Sequence, residues 1–265
     1  DVERSRGLGD VYKRQGVLLA GGVPVPIYPP ARPSQIEEHL RRHVAIVDNC
    51  GAAIMVTMPE AKRLAGIFRG LAATLRHVVT PSEITAAPGT LLQRLRARGE
   101  DIAFLQYTSG STGAPKGVIL THVNLLANIR AMGEALEVTS DDVFVSWLPL
   151  YHDMGLIGAW FGSLYYAIHL VIMPPLDYLA RPQRWLRAIH RYRGTISAAP
   201  NFAYELCLKR IKDEDLAGMD LSSWRIAANG AEAVSPTTLE SFIHRFAAIG
   251  FRPEAMFPVL SLIHI

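Results

Sequence analysis

Leu105-Gln-Tyr-Thr-Ser-Gly-Ser-Thr-Gly-Ala-Pro-Lys-Gly-Val118 sets three glycines, four hydroxyl residues and one lysine between two apolar runs. Gly110, Gly113 and Gly117 permit positive φ and a close backbone approach, and successive N–H groups in such a turn form an anion-binding concavity. Thr108, Ser109, Ser111 and Thr112 add hydroxyl donors, and Lys116 adds a mobile charge. The stretch reads as a phosphate-binding loop. A Ser/Gly linker would share the composition. It would not, however, sit between Ile102-Ala-Phe-Leu-Gln-Tyr107 and Val118-Ile-Leu120, which read as buried strands. Lys116 is followed by Gly117 and not by Ser or Thr, which excludes a Walker loop, and no Gly-x-Ser-x-Gly is present for a nucleophile elbow.

Outward from the loop, the chain alternates strand and helix patterns. Upstream, Val23 to Pro30 reads as extended because of its prolines. Ser34 and Glu37 form a capping box for a helix with Ile36, Leu40, Val44 and Val47 on one face. His39 and His43 share that helix, but the zincin pattern needs a glutamate where Leu40 stands. His43 and Asp48 match an acyltransferase spacing without supporting context, and a polar helix face accounts for all three. A strand at Ala52–Val56, a helix from Glu60 to Leu75 and a strand at His77–Val79 make a β-α-β unit. Thr80 to Thr90 reads as a loop, and Leu91 to Arg98 as a helix.

Downstream, Thr121 is a helix N-cap, and Asp142 to Pro149 a strand ending before Leu150-Tyr-His-Asp-Met-Gly-Leu156. A lone histidine is usually structural, yet His152 follows a strand end, where open α/β sheets take ligands. Helices are predicted at Ala159–Ile168, Arg181–Tyr192 and through Phe202–Ile211, with strands at Leu170–Met173 and Thr195–Ser197. Trp224 to Pro236 reads as strand, tight loop and helix start, Ser235 being the N-cap and Pro236 the first helical residue.

Tyr107-Thr-Ser-Gly-Ser-Thr-Gly-Ala-Pro-Lys-Gly117 resembles the signature loop of the adenylate-forming (AMP-binding) superfamily, which includes acyl-CoA synthetases, nonribosomal adenylation domains, luciferases and fatty acyl-AMP ligases. Ser146-Trp-Leu-Pro-Leu-Tyr-His-Asp-Met-Gly-Leu-Ile-Gly158 resembles the corresponding segment of fatty acyl-AMP ligases. Ala198-Ala-Pro-Asn-Phe-Ala-Tyr204 and Asn229-Gly-Ala-Glu232 resemble two further segments of the family. The resemblance implies an α/β fold of layered sheets with crossover helices, here an incomplete N-terminal domain. It implies ATP and Mg²⁺ as cofactors, and activation of a fatty acid to an acyl-adenylate with release of pyrophosphate. A carrier protein or CoA would then accept the acyl group.

By the same resemblance, Thr108, Ser109, Gly110, Ser111, Thr112, Gly113 and Lys116 serve the phosphates, and Asn229, Gly230, Ala231 and Glu232 the adenine. His152 would lie beside the acyl carboxylate and α-phosphate, while Trp147, Met154, Phe161 and Phe202 would line the acyl pocket. No residue of the chain is assigned to a metal. Where the family continues into an aromatic-Gly-x-x-Glu segment with a Mg²⁺-holding glutamate, this chain reads Val259-Leu-Ser-Leu. The ribose-binding aspartate and the C-terminal catalytic lysine have no counterpart here either. Residues 16–259 are therefore expected to be a partial N-terminal adenylation domain, inactive alone, with residues 1–15 and 260–265 as non-native tails. A nucleotide-binding module without chemistry is the alternative.

Composition narrows the classes further. The 265 residues are 49% hydrophobic and 19% charged with a net charge of +3, the profile of an ordinary α/β enzyme. Such a charge is too small and too scattered for a nucleic-acid surface, and Arg94, Arg96 and Arg98 fit a solvated helix face. Gly16 to Ile27, the most apolar stretch, is too short for a membrane span. Cys50 and Cys207 stand far apart in apolar settings, which argues against a disulfide framework and for the cytoplasm.

Overall fold

A computed structural model describes residues 14–28, 36–86, 96–108 and 115–259. The chain divides into two compact units between Asn124 and Leu125. In the first, residues 14–19 are helical. Then come α1 (Ile36–Asn49), β1 (Ile54–Val56), a 3₁₀ turn (Pro59–Ala61), α2 (Lys62–Leu71), β2 (His77–Val79) and α3 (Pro81–Ala86). β1 and β2 pair in parallel, so the expected β-α-β unit is present. Its small core is Val47, Phe68, Ala72 and Leu75. The unit ends in β3 (Ile102–Thr108) and β4 (Lys116–Thr121), followed by α4 (His122–Ala135).

Several expectations are corrected in this unit. β3 and β4 form an antiparallel pair, not part of a parallel layer. A parallel connection needs a crossover of about a dozen residues or more, and the span between Thr108 and Lys116 is too short for one. Nor is β4 a buried strand: its first four residues are exposed, because β3 is its neighbour in a two-stranded sheet. α2 stops at Leu71 and not Leu75, since Thr74 Oγ1 leaves the helix to donate to the carbonyls of Val47 (3.2 Å) and Ala52 (3.1 Å).

The stretch read as a loop from Thr80 contains helix α3. Thr80 N–H donates to Glu83 Oε2 (2.8 Å) and Glu83 N–H to Thr80 Oγ1 (3.4 Å), a capping box that its Pro-Ser-Thr composition concealed. Residues 96–98 are not helical. The rest of that predicted helix, with Arg94, lies outside the described residues, as does Ser34. His43 is not on a polar face but fully buried, its ring against His39, Tyr28 and Phe68.

The second unit carries a parallel five-stranded sheet. In chain order it contains β5 (Val143–Ser146), a π-helix (Met154–Phe161) running into α5 (Gly162–Tyr166), β6 (His169–Ile172), α6 (Pro175–Ala180), α7 (Gln183–Tyr192), β7 (Ile196–Ala199), α8 (Asn201–Arg210), β8 (Ile226–Asn229), α9 (Pro236–Phe246) and β9 (Met256–Pro258). The strand order is β6-β5-β7-β8-β9. Trp185, Tyr204, Trp224 and Phe242 form the centre of its core in edge-to-face contacts. Their polar ends are satisfied: Trp185 Nε1 donates to Ser197 Oγ (2.9 Å), Tyr204 Oη to Ala228 O (3.0 Å) and Trp224 Nε1 to Ile226 O (2.8 Å).

The helix predicted from Ala159 starts earlier, at Met154, because Asp153 caps it and the glycine at 155 lets its first turn fold onto Pro149. α6 was not expected from the sequence. Pro175 at its first position, where no N–H is needed, is the signal for it.

Candidate active site

Each unit holds part of the residue set expected from the sequence. In the first, Thr108 and Lys116 are register partners at the loop end of the β3–β4 hairpin, so they pin both ends of the glycine-rich loop. Lys116 is exposed there. Tyr107 braces the base of the loop: a Cβ at Gly117 would lie 2.9 Å from its ring, and its hydroxyl donates to Asn49 Oδ1. Gly117, expected to use positive φ, lies in ordinary strand backbone, and a side chain there would have to displace the end of the Tyr107 ring. Ser109, Gly110, Ser111, Thr112, Gly113 and the side chain of Thr108 lie outside the described residues.

In the second unit the expected residues cluster at the C-terminal edge of the sheet, the ligand-binding edge of open α/β sheets. The turn after β5 carries His152. Its Nδ1 lies 2.8 Å from Asp153 Oδ1, and Asp153 also caps the π-helix by accepting from Met154 N (2.8 Å). Met154 N–H also donates to His152 Nδ1 (3.3 Å), so this ring nitrogen faces the start of the π-helix and Nε2 is the nitrogen left outside that turn. The side chain is 42% exposed. A Cβ at Gly155 would meet Pro149 O at 2.4 Å, so only glycine allows this close return of the chain. Wide π turns of this kind often occur at functional sites.

Trp147 is 3% exposed, stacks on Tyr178 at 4.0 Å and meets the Phe202 ring edge-on at 6.1 Å. Phe202 is 42% exposed, so the pair runs from core to surface. Unlike the indoles of Trp185 and Trp224, Trp147 Nε1 is buried with no hydrogen-bond partner. Met154 packs against the same core, and Phe161 lies on Trp160 (4.9 Å).

The 229–232 loop leaves β8. Gly230 touches the backbone of Val259, whose carbonyl a Cβ would meet at 2.3 Å, and Ala231 holds a left-handed φ of 67°. A non-glycine residue there stores strain of the kind found at functional sites. Asn229 is fully buried. Its Nδ2 donates to Asn201 Oδ1 (3.3 Å), while its Oδ1 has no partner. Glu232 Oε1 accepts from the Phe202 N–H at the start of α8 (2.6 Å). Ser235 N–H donates to Asn201 Oδ1 (3.1 Å), and Ser235 caps α9 as expected.

Asn201 is a site residue that the sequence pattern alone does not mark, and Glu205, a carboxylate that on sequence could face solvent or the pocket, turns toward Asn201 and α9. The available signal was a polar residue directly after a strand-ending proline. Glu205 accepts from Asn201, Thr238 and Lys209. The Lys209 ammonium, helped by Thr238, holds its carboxyl below the usual range.

This arrangement agrees with the comparisons. The family described as AMP-binding enzyme matches residues 14–251, and the chain belongs to it. It is 39% identical to the medium-chain-fatty-acid--[acyl-carrier-protein] ligase JamA of Moorena producens, over 97% of this chain and 44% of the relative. It is 37% identical to the long-chain-fatty-acid--AMP ligase FadD32 of Mycolicibacterium smegmatis, over 93% and 40% respectively. The crystal structure of the fatty acyl-adenylate ligase from L. pneumophila, in complex with acyl adenylate and pyrophosphate, superposes with a TM-score of 0.82 at 39% identity, covering 96% of this chain and 43% of that one. The chain spans less than half the length of these relatives.

Proposed function

We propose that the chain is part of an enzyme that activates a fatty acid with ATP, forming an acyl-adenylate and releasing pyrophosphate. A carboxylate oxygen bonds to the α-phosphorus as the bond from that phosphorus to the bridging oxygen breaks. One geometric observation carries this reading: in the turn after β5, His152 Nδ1 is directed at Asp153 Oδ1 (2.8 Å) and accepts from Met154 N–H (3.3 Å), which leaves Nε2 as the ring nitrogen not engaged by the turn. There the imidazole serves to orient a carboxylate and a phosphate and needs no proton-abstracting role. A fatty acid, with a pKa near about 4 to 5, is already ionised at neutral pH. What remains for the protein is positioning and charge stabilisation.

In this reading the residues from Thr108 to Gly113, with Lys116, bind the phosphates, and Asn229–Glu232 receive the adenine. Trp147, Met154, Phe161 and Phe202 receive an aliphatic chain. An amino-acid substrate would need a buried partner for its ammonium group. Asp153 is engaged by His152 and the π-helix, and Glu205 by Lys209 and Thr238, which supports the fatty acid. Mg²⁺ would arrive with the triphosphate. Among the described residues no group of three or more His, Cys, Asp and Glu is placed to hold a metal, so no step is assigned to it.

The next acceptor is a carrier protein or CoA, the name of JamA supporting the former. Both cysteines are free, in keeping with a reducing cytoplasm. No helix among the described residues is long and apolar enough to cross a membrane.

The test is ATP–pyrophosphate exchange and hydroxamate-trapped adenylation by the complete gene product, across fatty acids and amino acids. Fatty-acid-dependent exchange is expected. Nucleotide binding without exchange would reduce the protein to a binding module, and preference for an amino acid would overturn the acyl assignment alone. Lys116→Ala should cost about 1.5 to 3 kcal/mol of ATP-dependent transition-state stabilisation. Unchanged kinetics would remove Lys116 from the phosphate site.

A further inference from the structure

The first turn of α8 holds the 229–235 loop at its start, middle and end. Asn201 Oδ1 accepts from Asn229 Nδ2 (3.3 Å), where the loop leaves β8, and from Ser235 N–H (3.1 Å), where it enters α9. Between them, Glu232 accepts from Phe202 N–H (2.6 Å). One side-chain oxygen thus joins the two ends of the loop.

Asn201 is itself fixed. It is 5% exposed, and its Nδ2 donates to Glu205 Oε1 (3.3 Å), which also accepts from Thr238 Oγ1 on α9 (3.3 Å). Its amide orientation follows from this chain of donors: nitrogen toward the Glu205 carboxylate, oxygen toward the loop. The clamp has strain to contain, because Ala231 sits at a left-handed φ of 67° with its Cβ in place. Without the shared acceptor, Asn229 Nδ2 and Ser235 N–H would lose their partner and the loop could relax toward an ordinary turn.

We propose that Asn201 is a positioning residue for the nucleotide: it sets the shape of the Asn229–Glu232 loop and so the affinity for ATP, without touching the ligand. The proposal rests on the reading that this loop receives adenine. It also predicts an asymmetry. Phe202 and Trp147, on the acyl side, are held by stacking and by the backbone of α8, so loss of the Asn201 side chain should weaken ATP and spare the fatty acid.

The experiment uses the complete gene product. ATP affinity is measured by equilibrium dialysis, KM values for ATP and a fatty acid by adenylation, and the position of the base by 8-azido-ATP photolabelling with peptide mapping. Asn201→Ala should raise the ATP Kd and KM about tenfold, the effect of two lost hydrogen bonds, and change the fatty-acid KM by less than about twofold. The swap Asn201→Asp with Glu205→Gln keeps an acceptor facing the loop and a donor facing it from position 205, and should return the ATP Kd to within about twofold of wild type. A residue that merely supports folding would move both KM values together and would not be rescued.

Labelling within residues 229–232 with an unchanged ATP Kd in Asn201→Ala would overturn the proposal and leave the adenine reading standing. Labelling elsewhere in the wild type would overturn the adenine reading and this proposal with it. If Asn201→Ala fails to fold, Asn201→Ser, whose shorter side chain cannot reach both loop ends, is judged by the same criteria.

Discussion

At the N-terminal edge of the five-stranded sheet, the 5%-exposed Asp142 carboxylate accepts from Arg225 Nε (2.9 Å) and Nη2 (2.7 Å), Thr195 Oγ1 (2.6 Å) and Thr139 N–H (2.9 Å). Arg225 also donates to the carbonyls of Leu136 (2.7 Å) and Glu137 (3.1 Å). At the C-terminal edge, by contrast, Asn229 Oδ1 and Trp147 Nε1 are buried without partners, and Ala231 is strained. A buried polar atom left unpaired costs about 1 to 3 kcal/mol. One edge therefore uses polar groups to fasten β5, β7 and β8 together, while the other tolerates local cost where the proposed ligand site lies. The same division between a stabilising and a functional edge is general in parallel α/β folds.

Arg225→Ala is the strongest way to break this comparison. Burial alone would raise the Asp142 carboxyl, but Arg225, Thr139 N–H and Thr195 outweigh it and hold the pKa below the usual range. Removing Arg225 strands a buried carboxylate, with an expected loss of about 3 kcal/mol, the low end for a broken buried pair because the guanidinium is partly exposed. Urea unfolding followed by tryptophan fluorescence measures it, and ATP affinity of the folded protein should not change. A loss under about 1 kcal/mol would show that this edge is not the fastener.

Gly155→Ala probes the opposite edge. Its Cβ would fall 2.4 Å from Pro149 O, forcing the His152 turn to move. A stability cost of about 1 to 3 kcal/mol is expected, together with a fall in adenylation rate of about a hundredfold, since small displacements at a reacting centre are costly. Near-normal adenylation with the full stability loss would mean that the turn supports packing and not chemistry.

The legible parts of the molecule were those where spacing reflects a local rule. Ser235 with Pro236, the parallel β1–β2 pair and the strand before His152 follow from caps, period and turn residues. The antiparallel β3–β4 hairpin was legible too, in the shortness of its connection, but the apolar runs on either side suggested buried parallel strands instead. Other features depend on partners distant in sequence. Asn201 becomes a clamp only when β7 and β8 are adjacent, Asp142 is satisfied only by Arg225, and His43 is buried only because Phe68 and Tyr28 close over it. No single-segment pattern encodes those meetings.

The mildest test uses pH and sharpens the contrast from outside the sheet. Burial, the neighbouring His43 and Arg42 lower the His39 pKa to about 4, and burial also lowers that of His43. Above the unfolded value of 6.5 both imidazoles are neutral in either state, so they carry no penalty. As the pH falls below it, the unfolded chain binds protons that the folded pair refuses, and the first unit loses stability until about pH 4, where His39 itself charges. The sign for Asp142 places its window lower: its folded pKa is depressed, so its contribution is present above the ordinary carboxylate value and is lost only at more acid pH. All four tryptophans, Trp147, Trp160, Trp185 and Trp224, lie in the second unit. Between pH 7 and about 5, hydrogen exchange corrected for its intrinsic pH dependence should show α1 losing protection worth about 1 kcal/mol, while tryptophan emission stays constant. His39→Gln should flatten most of that loss. Emission that shifts in step with α1 would mean that acid reaches the Asp142 fastener in the same window, and the distinction between a protected edge and a vulnerable histidine pair would fail.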